Sequence, residues 1–386
     1  MSGPLEGIRV IDLTSVAMGP YATQIMGDMG ADVVKIESRD GDVFRHAGPA
    51  RHAGMGAPFL NFNRNKRSVV LDLKSPDDAA SLRALVKDAD VFVSNVRPKS
   101  MARLGLDDAA LRALNPRLVY CGAYGFSEQG RYAGRPAFDD IIQAMSGIAA
   151  IQANATTGEP AYVNTIIADK TAGLTIAWAV AMALYERERS GLGQAIEVPM
   201  FETLVGFGMM EHLAGRTFDP PEGPMGYERL LSSARRPYRT QDGFIALLPY
   251  TTAQWQRFFR LAGRPEVAED PRYMEPAQRS RNIHTLYGML ADLVAERSTA
   301  QWLALLAEAD IPHSEVLSMD AVMADPHLHE AGMVQSHQHP TEGALTGLGI
   351  ATRFSRTPGS IRRLAPTLGQ DAMADIAAEW SVSVGC

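Results

Sequence analysis

Two cysteines in 386 residues, Cys121 and Cys386, are too few for a disulfide-built scaffold and too far apart for a metal or redox motif. Positive charge is not in excess. Lys and Arg number 37 against 44 Asp and Glu, a formal net charge of −7, which argues against a nucleic-acid partner. Long apolar runs are missing as well. The longest, Leu174–Tyr185, is 12 residues, short of the ~20 that cross a bilayer, and is expected to be a buried helix. The N-terminal MSGPLEGIRVIDL has neither the basic nor the long apolar region of a targeting segment. The expectation is a soluble, cytoplasmic protein with no membrane partner. Several motifs are also absent: G-x-G-x-x-G, a P-loop, the G-x-S-x-G nucleophile elbow and H-E-x-x-H.

What is there is ordinary globular material, 46% apolar and 21% charged, long enough for two to three domains of ~150 residues. Short β-branched runs alternate with helical stretches over the first 130 residues. IRVIDL, ADVVKIE, SVVLDL, VFVSNV and RLVYCGAY read as strands, and 20–29, 75–88 and 107–114 as helices. Ser75 is the expected N-cap of the second helix, with Pro76 at its first position. Nearly continuous apolar strands separated by helices imply a parallel sheet covered on both faces, joined by right-handed crossovers. The fold class is therefore α/β, a doubly wound large domain. A long helix is expected over 170–189, a strand over 194–198 and a helix over 201–215. Prolines and glycines at 220–226 mark a linker. A hairpin around Asp242-Gly243 and helices over 252–263, 281–297 and 300–309 form a smaller α+β domain. HSEVL and GIATRF, between 311 and 354, read as returning strands.

Candidate chemistry is sparse. The first βαβ ends in Glu37, placed as a ribose-binding acid would be, but its Thr14–Pro20 turn cannot admit a pyrophosphate in the usual way. His327 and His329, then His337 and His339, would each pair on one strand face, a spacing too loose for a metal site. Arg64, Lys66, Arg67, Lys74, Arg97, Lys99 and Arg103 stand near strands whose carboxyl ends share one edge of a parallel sheet. There they would suit a phosphorylated ligand, or simply form a solvated rim. Asp169 precedes the long helix. It is a natural N-cap, or a carboxylate nucleophile kept ionised by the helix dipole and able to form an acyl anhydride.

Taken in order, PLEGIRVIDLTSVAMGPYATQIMGDMGADVVKIE, NRNKRSVVLDLK, ADVFVSNVRPKSMARLGL, NPRLVYCGAYGF, GRPAFDDIIQAMSG, IIADKTAGLTIAWAVAMALYERERSGLGQAIEVPMFETL, RRPYRTQDGFIAL and APTLGQD resemble the class III CoA-transferase (CaiB/BaiF) family over nearly the whole chain. The resemblance implies a Rossmann-like large domain at 1–219, an inserted small domain at 220–320, a C-terminal segment at 321–386 returning to the large domain, and an interlocked homodimer. It implies an acyl-CoA:carboxylate CoA-transferase in which Asp169 carries first the acyl group and then CoA. CoA is then a substrate, with no tightly bound cofactor and no metal.

By position, the CoA contacts would be Val16, Ala17, Arg39 (the family's arginine falls nearer Ser38), Leu71, Lys74, Asn95, Val96, Arg97, Arg103 and Arg135. Phe138, Asp139, Arg235 and Arg236 would face the acyl group or acceptor, and a short dicarboxylyl donor such as succinyl-CoA is expected. Position 17 lacks the glutamine of formyl-CoA transferase, which speaks against oxalate or formate chemistry. The α-methylacyl-CoA racemases of the same superfamily are the alternative, but their catalytic histidine is replaced here by Phe138, which cannot accept a proton. A non-catalytic acyl-CoA binder is the third reading.

Overall fold

The computed structural model describes residues 3–154 and 157–382. They fall into two compact units. The first takes in the chain up to residue 154, residues 159–208 and the chain from 326 onward; the second is chiefly 209–325.

The first unit is built on six parallel strands. Strand β1 (Arg9–Leu13) leads through helix α1 (Met18–Asp28) to β2 (Asp32–Glu37), and β3 (Lys66–Val70) follows. Helix α2 (Pro76–Val86) opens on Ser75, whose hydroxyl accepts the Asp78 N–H, as the Ser-Pro pair predicts. Then come β4 (Val91–Ser94), α3 (Pro98–Leu104), α4 (Asp108–Leu114), β5 (Val119–Tyr124), α5 (Asp139–Met145), the 24-residue α6 (Ile167–Ser190), β6 (Ala195–Pro199) and α7 (Met200–Gly208). The strand order is β3-β2-β1-β4-β5-β6, so the winding reverses between β1 and β4. In such sheets ligands bind outside the carboxyl ends of the strands at that reversal.

Side chains alternate across the sheet. Val10, Val33, Val91 and Val119 pack with α1 and α6 on one face. Ile11, Val34, Phe92 and Tyr120 pack with Leu82 and Leu85 of α2 on the other. Helix α6 lies close against α1 because residue 173 is glycine. A Cβ there would stand 2.8 Å from the Met18 carbonyl oxygen. The 174–185 run is therefore only half a core helix. Leu174, Trp178, Met182 and Tyr185 point outward, 51%, 53%, 63% and 70% exposed, against the expectation of full burial.

In the second unit, β7 (Tyr238–Arg239) and β8 (Phe244–Leu247) form the expected hairpin around Asp242-Gly243. Helices α8 (Thr252–Leu261), α9 (Ile283–Val294) and α10 (Thr299–Glu308) cover it. Thr251/Gln254 and Ser298/Gln301 close capping boxes at two of the helix starts. The core is aromatic, with Trp255, Phe258, Phe259, Tyr287 and Trp302. The strand expected in HSEVL is the short β9 (His313–Glu315), which pairs with β8 in this unit.

Two further expectations do not hold. The helix expected over 201–215 stops at Gly208. GIATRF is irregular; the strands after residue 326 are instead β10 (Val334–His339) and β11 (Gly343–Leu348), an antiparallel pair in the first unit. Helix α11 (Met373–Val382) then lays Ile376 and Trp380 into the sheet core beside α2.

Candidate active site

The turn after β1 is held by buried charge. Lys35 donates to the Thr14 carbonyl (2.7 Å) and pairs with Asp42 (2.9 Å). Asp42 in turn accepts the N–H groups of Val16 (3.0 Å) and Phe44 (2.9 Å). Asp12 binds the hydroxyls of Thr14 and Thr23 and pairs with Lys66 (2.9 Å). Burial would raise the Asp12 pKa, but Lys66, Lys35 and the two hydroxyls hold it down at about 2. Burial also draws Lys66 down to about 8. This scaffold fixes Val16 at φ 72°, a left-handed conformation that a β-branched residue adopts only under constraint.

Asn95, just past β4, completes the turn from the other side of the strand reversal. Its Oδ1 accepts the Ser15 N–H (3.2 Å), and its Nδ2 donates to the Ser15 carbonyl (2.9 Å). Two clefts share Ser15, Asn95 and Val96 as a common wall. The larger, about 630 Å³, runs along the ends of β1 to β4 and is lined by Ser38, Leu71, Lys74 and Arg103 among others. The smaller, about 270 Å³, reaches Val16, Arg97, Arg135, Phe138 and Asp169.

Asp169 sits in the first turn of α6, 8% exposed. The backbone of Met18, the first residue of α1, is near enough to favour its charged form. Asp169 is not the N-cap of its own helix. Ile166 occupies that position with no side-chain bond, and the capping is done by Asp139. Asp139 Oδ1 accepts the N–H groups of Ala168 (2.7 Å) and Asp169 (3.0 Å), and its Oδ2 accepts from Gln143 (2.6 Å). Burial, then the Asp139 charge, push the Asp169 pKa up to about 6, against the pull of the Met18 backbone. A carboxylate of that kind is ionised at neutral pH yet poorly solvated, which suits a nucleophile better than a surface aspartate.

Of the residues singled out from sequence, Val16, Asn95, Val96, Arg97, Arg135, Phe138 and Asp169 line the smaller cleft, and Leu71, Lys74 and Arg103 the larger one. Ala17 is fully buried as the residue before α1. Arg39 lines a separate pocket with His46, His52 and Glu342, and it is Ser38 that reaches the cleft. Asp139 is buried behind Asp169 rather than open to a ligand. Arg235 and Arg236 are exposed in the second unit, ahead of β7.

Lys99 follows β4 in the first turn of α3, but the three remaining cations are not at the carboxyl ends of strands. Arg64 pairs with Asp28, Lys66 with Asp12, and Arg67 with Asp32 and Glu379, all near the start of β3. Glu37 is bound to Arg45 and is not free for a ribose. His327 and His329 lie in the helical turn Pro326–Glu330, not on a strand, and His339 bonds the Ala365 carbonyl (2.8 Å). Sequence reasoning missed the Met18 backbone and Gly173. The one available signal was that Gly173 follows Asp169 by four residues, on the same helix face.

The model of CoA-transferase family III matches residues 5–372. A succinate–glutarate CoA-transferase of Agrobacterium fabrum is 32% identical, over 95% of this chain and 93% of its own. A succinyl-CoA:mesaconate CoA-transferase of Haloarcula hispanica is 30% identical, over 99% and 98%. The crystal structure of a CAIB/BAIF family protein from Brucella suis is 30% identical and superposes with a TM-score of 0.82, covering 98% of this chain and 100% of that one.

Proposed function

Because the chain belongs to CoA-transferase family III, we propose that it moves CoA from a short dicarboxylyl-CoA, such as succinyl-CoA, to a carboxylic acid through covalent intermediates on Asp169. The observation that carries this reading is a buried carboxylate, its pKa raised to about 6, in the cleft at the strand reversal that shares a wall with the larger, cation-bearing one.

In this mechanism the adenosine phosphates of CoA lie in the larger cleft beside Lys74 and Arg103, and the pantetheine arm passes the Ser15–Asn95 wall. An Asp169 oxygen attacks the thioester carbonyl. The C–S bond breaks, leaving an aspartyl-acyl anhydride and CoA thiolate. The thiolate attacks Cγ of Asp169, the donor acid leaves as a carboxylate, and an aspartyl-CoA thioester remains. The acceptor carboxylate attacks that thioester to form a new anhydride and free the thiolate. The thiolate then takes the acceptor acyl group and restores Asp169. Each step exchanges one acyl bond for another, so no electrons are gained or lost. The dicarboxylate names of the Agrobacterium and Haloarcula relatives support the donor class. Arg97 and Arg135, the two cations of the Asp169 cleft, are suited to a distal carboxylate. Phe138 at the mouth of this cleft offers no proton acceptor for racemisation.

The test is to incubate the enzyme with succinyl-CoA, add hydroxylamine and digest for mass spectrometry. Hydroxamate at Asp169 is expected. Full transfer by Asp169→Ala overturns the mechanism. The reading includes the family's interlocked homodimer, which sedimentation analysis checks.

A further inference from the structure

The second unit holds a pocket of about 600 Å³ whose lining includes Arg229, Arg279, Tyr227, Tyr250 and Tyr287. None of its lining residues lines the Asp169 cleft. Arg229 lies over the Tyr250 ring, 5.0 Å from its centroid, with Nε bonded to the Tyr287 hydroxyl (2.9 Å). Arg279 is anchored through one Nη alone, which donates to the Thr252 hydroxyl (3.0 Å) and to the carbonyls of Tyr273 (3.2 Å) and Met274 (3.1 Å). Arg279 is thus held by one side, and the Tyr227 hydroxyl joins that of Tyr287 at Arg229. Burial, then the Arg229 charge, lowers the Arg279 pKa, while against burial the Tyr287 and Tyr227 hydroxyls raise that of Arg229; among the described residues neither arginine forms an ion pair, although Glu222 and Glu228 also line the pocket. Two neighbouring cations that make no ion pair are relieved when an anion bridges them. A fork-shaped guanidinium is the natural partner of a carboxylate.

We propose that this pocket is a binding site for a small dicarboxylate, with one carboxylate bridged to Arg229 and the other to Arg279 and the carbon chain lying against Tyr250. The site does not depend on chemistry at Asp169. Titration calorimetry on the full-length Asp169→Ala protein, which cannot turn over, should therefore still show saturable succinate binding. Arg229→Gln and Arg279→Gln should each weaken it at least tenfold. Arg103→Gln, in the other unit, should leave it unchanged. Because Arg279 also ties down three neighbours, its variant is read together with Arg229→Gln and with melting curves. The proposal is overturned if succinate does not bind at millimolar concentration, if neither arginine variant weakens binding, or if Arg103→Gln weakens it as much. Binding of inorganic phosphate without binding of succinate overturns the dicarboxylate assignment.

Discussion

One oxygen of Asp139 accepts the backbone N–H groups of both Ala168 and Asp169. The residue that caps the long helix thus also places a negative charge behind the carboxylate at its start. Capping lowers the energy of the fold, while the charge makes Asp169 a weaker acid.

The first prediction follows from that charge. Transfer needs ionised Asp169, so the rate should fall as pH drops below about 6. Asp139→Asn keeps an oxygen for the two N–H groups and removes the charge. The acid limb of the kcat/KM profile should move to lower pH, while the lost Gln143 bond lowers the melting temperature by a few degrees. A rate loss with no movement of that limb would mean that Asp139 acts through packing alone.

A second prediction concerns stability. Folding raises the Asp169 pKa from 3.8 to about 6. Its contribution is therefore fully present below 3.8 and is lost as pH rises through 6. Above that, the ionised group works against the fold. Asp169→Asn should stabilise the protein at pH 7.5 by about 2–3 kcal/mol, from ~1.4 kcal/mol per pH unit. The difference should vanish near pH 4, as calorimetry at the two pH values would show.

The third contrasts two kinds of cation. Lys66→Met strands Asp12 without its partner in the core and should cost about 3–5 kcal/mol. Lys74→Gln and Arg103→Gln alter exposed side chains at the larger cleft. They should leave the melting temperature unchanged while raising KM for acyl-CoA several-fold. Thermal melts and initial rates on the three proteins separate the roles.

This contrast also shows what the sequence could and could not reveal. Strands were legible because β-branched runs are local, and the start of α2 because Ser75-Pro76 is a local signal. Asp169 stood out by its place before an apolar helix, yet its capping partner lies 30 residues earlier. The Arg64–Arg67 group looked like a ligand-binding edge because sequence shows charges without their partners. Asp28, Asp12 and Asp32 come from α1, β1 and β2, and only the folded sheet brings them together. GIATRF has the composition of a strand but follows β11 in an irregular conformation. The exposed stripe on α6 escaped notice because composition does not say which side of a helix meets a core.

The gap left at Gly173 gives a residue with no functional group a hold over acidity. Four residues on from Asp169, it sets how near α6 can come to the start of α1. The Met18 backbone, which favours the ionised form of Asp169, lies at that contact. A single methyl at position 173 would act as a wedge one helical turn away, pushing the Met18 backbone off and making the carboxylate harder to ionise. The reactivity of the site is in this sense gauged by the thickness of a helix contact.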